Sequence, residues 1–104
     1  MNSLINNSLD RIIKSCEKHS VKSLEVFGSV TRSDFNEKSD VDFLYEFDKE
    51  KIAGAELDYA DNYFEFLFSL EDILGRKIDL LPQEKLKNPY LIKRINEEKI
   101  KIYG

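Results

Sequence analysis

The pair Gly28-Ser29, followed after ten residues by Asp40-Val41-Asp42, constrains this chain more than any other feature of it. Residues 23–27 alternate as a strand, and Gly28-Ser29 interrupts them with a residue that can adopt backbone conformations closed to the others. Residues 41–47 read as a second strand, with Val41, Phe43, Tyr45 and Phe47 on one face and Asp40, Asp42, Leu44 and Glu46 on the other. Two aspartates at i and i+2 of a strand share a face, about 7 Å apart along the backbone, and can converge on one cation. The chain must therefore form a strand, a tight turn with a short helical start over residues 30–34, and a returning strand that carries paired acids.

The remaining segments supply partners for these strands. Ile5, Leu9, Ile12, Ile13 and Cys16 recur at helical spacing, predicting a helix that ends near His19, with Cys16 in the core and His19 at the helix terminus. After a charged loop over residues 48–56, a long helix is expected over residues 57–74, its core stripe being Leu57, Ala60, Phe64, Leu67, Leu70 and Leu74. Tyr59, Tyr63, Phe66 and Phe68 lie beside or away from that stripe, and Gly75 is placed to end the helix. Residues 77–81 form a third strand, closed by Pro82, on which Asp79 points away from Ile78 and Leu80. Asn88-Pro89 reads as a cap and first helical position of a helix through Glu98, and residues 99–103 alternate as a last strand. The expected class is α/β (α+β), a small mixed sheet of about four strands with helices packed against it.

Size and composition narrow the function. At 104 residues the chain is one domain, residues 1–104, able to bury about two-thirds of its unfolded surface. Seven Phe and five Tyr argue for a real core. A net charge of -4 argues against binding nucleic acid through neutralised phosphates. The lone cysteine cannot form an internal disulfide, and the apolar runs fall far short of the roughly 20 residues that span a bilayer, so a reducing cytoplasm is expected. The basic C-terminal quarter, with Lys85, Lys87, Lys93, Arg94, Lys99 and Lys101, reads as a solvated face.

Carboxylate oxygens suit Mg²⁺, which completes its shell with water and substrate phosphates. Asp79 on a neighbouring strand would add a third carboxylate to Asp40 and Asp42, giving an arrangement suited to phosphoryl or nucleotidyl transfer. Gly28 lets the backbone approach a phosphate and Ser29 offers a hydroxyl. An Asp-x-Asp pair alone is weak evidence, because phosphatases, glycosyltransferases and acidic loops also contain it. The turn-then-strand order makes the full pattern far more specific.

On residues 27–32, 39–44 and 77–81 the sequence resembles the nucleotidyltransferase superfamily typified by DNA polymerase beta, and most closely its minimal nucleotidyltransferase (MNT) branch. The resemblance implies the nucleotidyltransferase fold, metal binding by Asp40 and Asp42, Asp79 as the third acid, triphosphate held by Gly28-Ser29, and a phosphate contact from Arg32. Thr31-Arg32-Ser33 departs from the Ala-Arg-Gly frequent in relatives. The resemblance further implies an antitoxin that uses ATP with Mg²⁺, two ions when nucleotide is bound, to transfer AMP to a tyrosine hydroxyl of a HEPN-domain ribonuclease toxin, in a hetero-oligomer with it. The rival readings are an antitoxin that neutralises its toxin by covering it, and a transferase acting on a small hydroxylated acceptor such as an aminoglycoside.

Overall fold

The computed structural model describes residues 2–104. Helix α1 (Ser3–Lys18) starts where the Asn2 side chain accepts from the Leu4 amide, and ends at His19, whose Nδ1–H donates to the Ser15 carbonyl at 2.7 Å. Strand β1 (Val21–Phe27) runs into a single 3₁₀ turn, Gly28–Thr31, and β2 (Val41–Phe47) returns antiparallel to it. Helices α2 (Lys49–Gly54) and α3 (Tyr59–Leu74) form the crossover to β3 (Ile78–Pro82), which lies parallel to β2. A parallel neighbour requires a crossover of this kind. A short 3₁₀ turn, α4 (Pro89–Glu98) and β4 (Ile100–Tyr103), antiparallel to β1, complete the sheet, whose order is β3-β2-β1-β4. This mixed four-stranded sheet with helices packed on it is the expected architecture.

The alternation of β2 divides the molecule. Val41, Phe43, Tyr45 and Phe47 face α1 and α3, where Ile5, Ile12, Cys16, Phe66 and Leu70 join them in the main core. On the opposite face Leu44 packs with Phe27 and Ile95, the latter from α4, and this second cluster is small. Cys16 is fully buried as expected, and burial, with the Glu17 charge, pushes its thiol up to about 12. Among the described residues no helix is long and apolar enough to cross a membrane.

Three local expectations need correction. The helical start expected over residues 30–34 is the 3₁₀ turn Gly28–Thr31, after which Arg32 is extended. The charged loop of residues 48–56 contains α2: Asp48 caps it by accepting from the Lys51 amide at 3.1 Å, and the helix buries Ile52. Here a cap and one apolar anchor suffice for a helix that charge alone had disguised. The stripe of α3 is also rotated. Asn62, Phe66, Leu70 and Leu74 are buried at four-residue spacing, Leu67 is half-buried, Ala60 is exposed, and Leu57 and Phe64 are 46% and 50% exposed. The reason is a buried polar group: the Asn62 amide donates to the His19 carbonyl at 2.7 Å, so an asparagine occupies a core-facing position that apolar spacing reserves for hydrophobic residues. The helix begins at Tyr59, with Asp58 as its cap accepting from Asp61 N, instead of at Leu57. Gly75 ends it in the left-handed conformation (φ 65°), and Asn88 caps α4 immediately before Pro89, both as expected.

Candidate active site

The site is built where β1 stops. Gly28 has φ 78°, a left-handed value suited to glycine, and a Cβ there would collide with the Asp42 carboxylate. Thr31 Oγ1 donates to the Gly28 carbonyl at 2.7 Å and the Arg32 amide to the Ser29 carbonyl at 2.9 Å, which closes the turn. The backbone of Gly28 is therefore pressed against one of the two paired aspartates.

Asp42 is the second residue of β2, and the parallel register sets it opposite Asp79 on β3. Neighbouring strands lie about 4.8 Å apart, so two side chains in register on one face are close neighbours. Asp42 is half-buried, while Asp79 and Asp40 are exposed. Burial, and then the charges of Asp79 and Asp40, push the Asp42 carboxyl up to about 6, against the opposing pull of Arg32. Asp40 precedes β2 at the end of a loop that Arg76 braces: its guanidinium donates to the Asn36 and Ser39 carbonyls, each at 3.1 Å, and lies 4.6 Å from the Phe35 ring centroid. No spacing rule in the sequence pointed to Arg76.

Gly28, Arg32, Asp42 and Asp79 line one cleft of about 340 Å³, walled on its far side by Leu91, Arg94, Ile95 and Glu98 of α4. Ser29 and Asp40 stand outside that lining. The sequence marks Glu98 only as a helix end, with no role in the site. Its Oε2 accepts from the Gly28 amide at 3.1 Å, and its Oε1 accepts from Arg32 at 2.6 Å and from Arg94 at 3.4 Å. The local signal was the Arg94–Glu98 pair at i,i+4, which says nothing about a turn seventy residues away in the chain. Arg32 is also bonded to Asp34 at 3.2 Å.

A second groove of about 450 Å³ runs along the open edge of β3, between Tyr59, Tyr63 and Phe64 of α3 and Pro82. Tyr63 donates to the Leu80 carbonyl at 3.1 Å, which covers part of that edge. Asp79 lines both the groove and the cleft.

Among the described residues no three His, Cys, Asp or Glu side chains are already arranged as a cation site. The donor set nonetheless fits a hard divalent cation: oxygen ligands alone, on neighbouring backbone positions, with one carboxyl whose ionisation its neighbours oppose and a cation would favour. Asp40, Asp42 and Asp79 are the residues that would hold it.

A family model described as "Nucleotidyltransferase domain" matches residues 9–102. A Methanocaldococcus jannaschii protein named a putative protein adenylyltransferase is 43% identical over 84 residues, covering 81% of this chain and 79% of that one. A solved structure described as a putative minimal nucleotidyltransferase superposes with a TM-score of 0.74 at 25% identity, covering 96% of this chain and 95% of the other. A chain from a complex of tri-AMPylated Shewanella oneidensis HEPN toxin with MNT antitoxin shares the fold at a TM-score of 0.63 and 17% identity, over 95% of this chain and 71% of that one.

Proposed function

This chain belongs to the nucleotidyltransferase domain family, and on that premise we propose that it is an antitoxin-type protein adenylyltransferase, moving AMP from ATP to a hydroxyl, by preference a tyrosine, of a HEPN toxin partner. The observation that carries the reading is Asp42 and Asp79 side by side at the mouth of the Gly28 turn. The name of the Methanocaldococcus relative supports adenylylation of a protein, and the Shewanella complex supports a HEPN partner. ATP and Mg²⁺ are both cytoplasmic, and so, in this reading, is the protein.

In this reading the chain acts mainly by positioning. Gly28 and Ser29 bring the backbone and a hydroxyl to the triphosphate, and Arg32 and Arg94 offset its charge across the cleft. Asp40, Asp42 and Asp79 would hold Mg²⁺, which would supply charge neutralisation at the transferred adenylyl group and the leaving pyrophosphate. The acceptor hydroxyl forms a bond to the α-phosphorus as the bond to pyrophosphate breaks, with Asp79 taking the hydroxyl proton in this reading. Because Asp79 also borders the aromatic groove along β3, an acceptor side chain lying there would reach the carboxylate from the side opposite α4.

The test is transfer of label from α-labelled ATP to the HEPN partner with Mg²⁺ present. Transfer is expected to the wild-type mixture and to fall at least a hundredfold with Asp42→Ala, on the order of what loss of a principal charge-stabilising group costs. A partner left unlabelled by wild-type protein would reject the enzymatic reading. Full neutralisation of the toxin by the Asp40→Ala, Asp42→Ala double variant would favour neutralisation by covering.

A further inference from the structure

We propose that Glu98 is an internal stand-in for the nucleotide's phosphates, and that it sets which anions enter the cleft by competing with them for the same donors. This deepens the nucleotide reading of the cleft and rests on it. Three donors that a triphosphate would use converge on this one carboxylate: the Gly28 amide at 3.1 Å, the Arg32 guanidinium at 2.6 Å and the Arg94 guanidinium at 3.4 Å. Both carboxylate oxygens are engaged, and the side chain is only 17% exposed, in the wall of the cleft that holds Asp42 and Asp79. Carboxylate and phosphate present similar acceptor geometry to a guanidinium and to a backbone amide, so one can take the place of the other.

The placement of Glu98 permits exchange. It is the last residue of α4, while the helix is anchored one turn earlier by Ile95, which is buried against Phe27 and Leu44. The side chain can swing out of the cleft without unseating that anchor. A single phosphate offers the donors little that the carboxylate does not already supply. A polyphosphate carrying a divalent cation gains contacts at Asp42 and Asp79 as well, and so displaces Glu98 where smaller anions do not. The donors also stay ordered in the free protein, since Glu98 holds the Gly28 turn and Arg32 in place until the ligand arrives.

A ligand whose site is filled by an internal group binds with its intrinsic affinity reduced by the fraction of open sites. Calorimetric titration of ATP with Mg²⁺, and separately of inorganic phosphate, into wild type and Glu98→Gln tests this. The variant is expected to bind ATP about tenfold more tightly and to acquire measurable phosphate binding. In an Arg32→Ala background the gain from Glu98→Gln is expected to shrink to about twofold or less, because the closest of the three contested donors is gone. A thermal midpoint close to wild type certifies the fold, and Glu98→Ala, which removes the carboxylate outright, provides a second variant with the same expected gain. Equal or weaker ATP binding by both folded variants would overturn the proposal and leave the nucleotide reading standing. A gain undiminished by Arg32→Ala would also overturn it, reducing Glu98 to a charge that repels phosphate from a distance. ATP bound by neither wild type nor variant would instead reject the nucleotide reading, and this inference with it.

Discussion

The two faces of the sheet are built from the same strands and do opposite things. On one, α1 and α3 close over a continuous aliphatic and aromatic core; on the other, Ile95 of α4 covers a small cluster around Phe27 and Leu44, with Leu81 and Leu86 at its margin, and the uncovered part of the sheet carries Asp42 and Asp79. Along β2 the two roles alternate residue by residue, Val41 and Phe43 inward and Asp42 between them outward. The difference teaches that this site is sustained from behind: like charges can be held side by side on the open face because the closed face supplies the stability.

If so, damage to the closed face should be the most costly. Phe66 is fully buried, with its ring edge-on to Phe47 at 6.1 Å, and Phe66→Ala is expected to lose about 3–5 kcal/mol in denaturant unfolding. Phe68, two residues along and 60% exposed, should change by no more than about 0.5 kcal/mol when cut to alanine. Similar losses at the two positions would break the division of faces and restore a stripe centred on the leucines.

A smaller effect is expected where the faces meet the turn. Gly28→Ala forces a left-handed φ on a residue with a Cβ and drives that Cβ into the Asp42 carboxylate, for a loss of about 1–3 kcal/mol together with weakened ATP binding. Unchanged stability and binding would mean that the turn is free to move away from β2.

The smallest effect sharpens the comparison by changing sign. Burial, then Asp79 and Asp40, raise the folded Asp42 carboxyl to about 6 from an ordinary value near 3.8. Between those values the folded protein holds a proton that the unfolded chain has released, so this group's contribution to stability is full below about pH 4 and is lost as pH rises through about 6. Without divalent cations, Asp42→Asn should therefore melt higher than the parent at pH 7, with the advantage fading by pH 4. An advantage that is absent at pH 7, or unchanged at pH 4, would show that the open face carries no such penalty.

What could be read in advance was what local chemistry encodes. Gly75, Asn88-Pro89 and the alternation of residues 41–47 each announce a cap, a start or a face through their own stereochemistry, and the structure bears them out. The position of Asp79 beside Asp42 depended on one further step, that β3 would be the neighbour of β2, and the parallel register supplies it. The rest was hidden for identifiable reasons. The face of α3 turns on a buried amide from Asn62 to a carbonyl at the end of α1, a long-range bond with no periodic signature. Arg76 and Glu98 act on the site through carbonyls, an amide and a guanidinium far away in the chain, and where a helix end comes to rest on a sheet is written in no single segment.

The parallel register of β2 and β3 also has a cost in folding. Because successive side chains alternate, a slip of one residue would turn Asp79 to the face of Phe43 and Leu80, so Asp42 and Asp79 come abreast only in the correct alignment. That alignment closes a long loop through α2 and α3 and brings two like charges together at the same moment, so the entropic and the electrostatic cost fall on one pairing. A divalent cation, or a pH low enough to keep Asp42 protonated, relieves the second of these. The carboxylates proposed to work on a nucleotide in the finished protein therefore also add a charge cost to docking the edge strand.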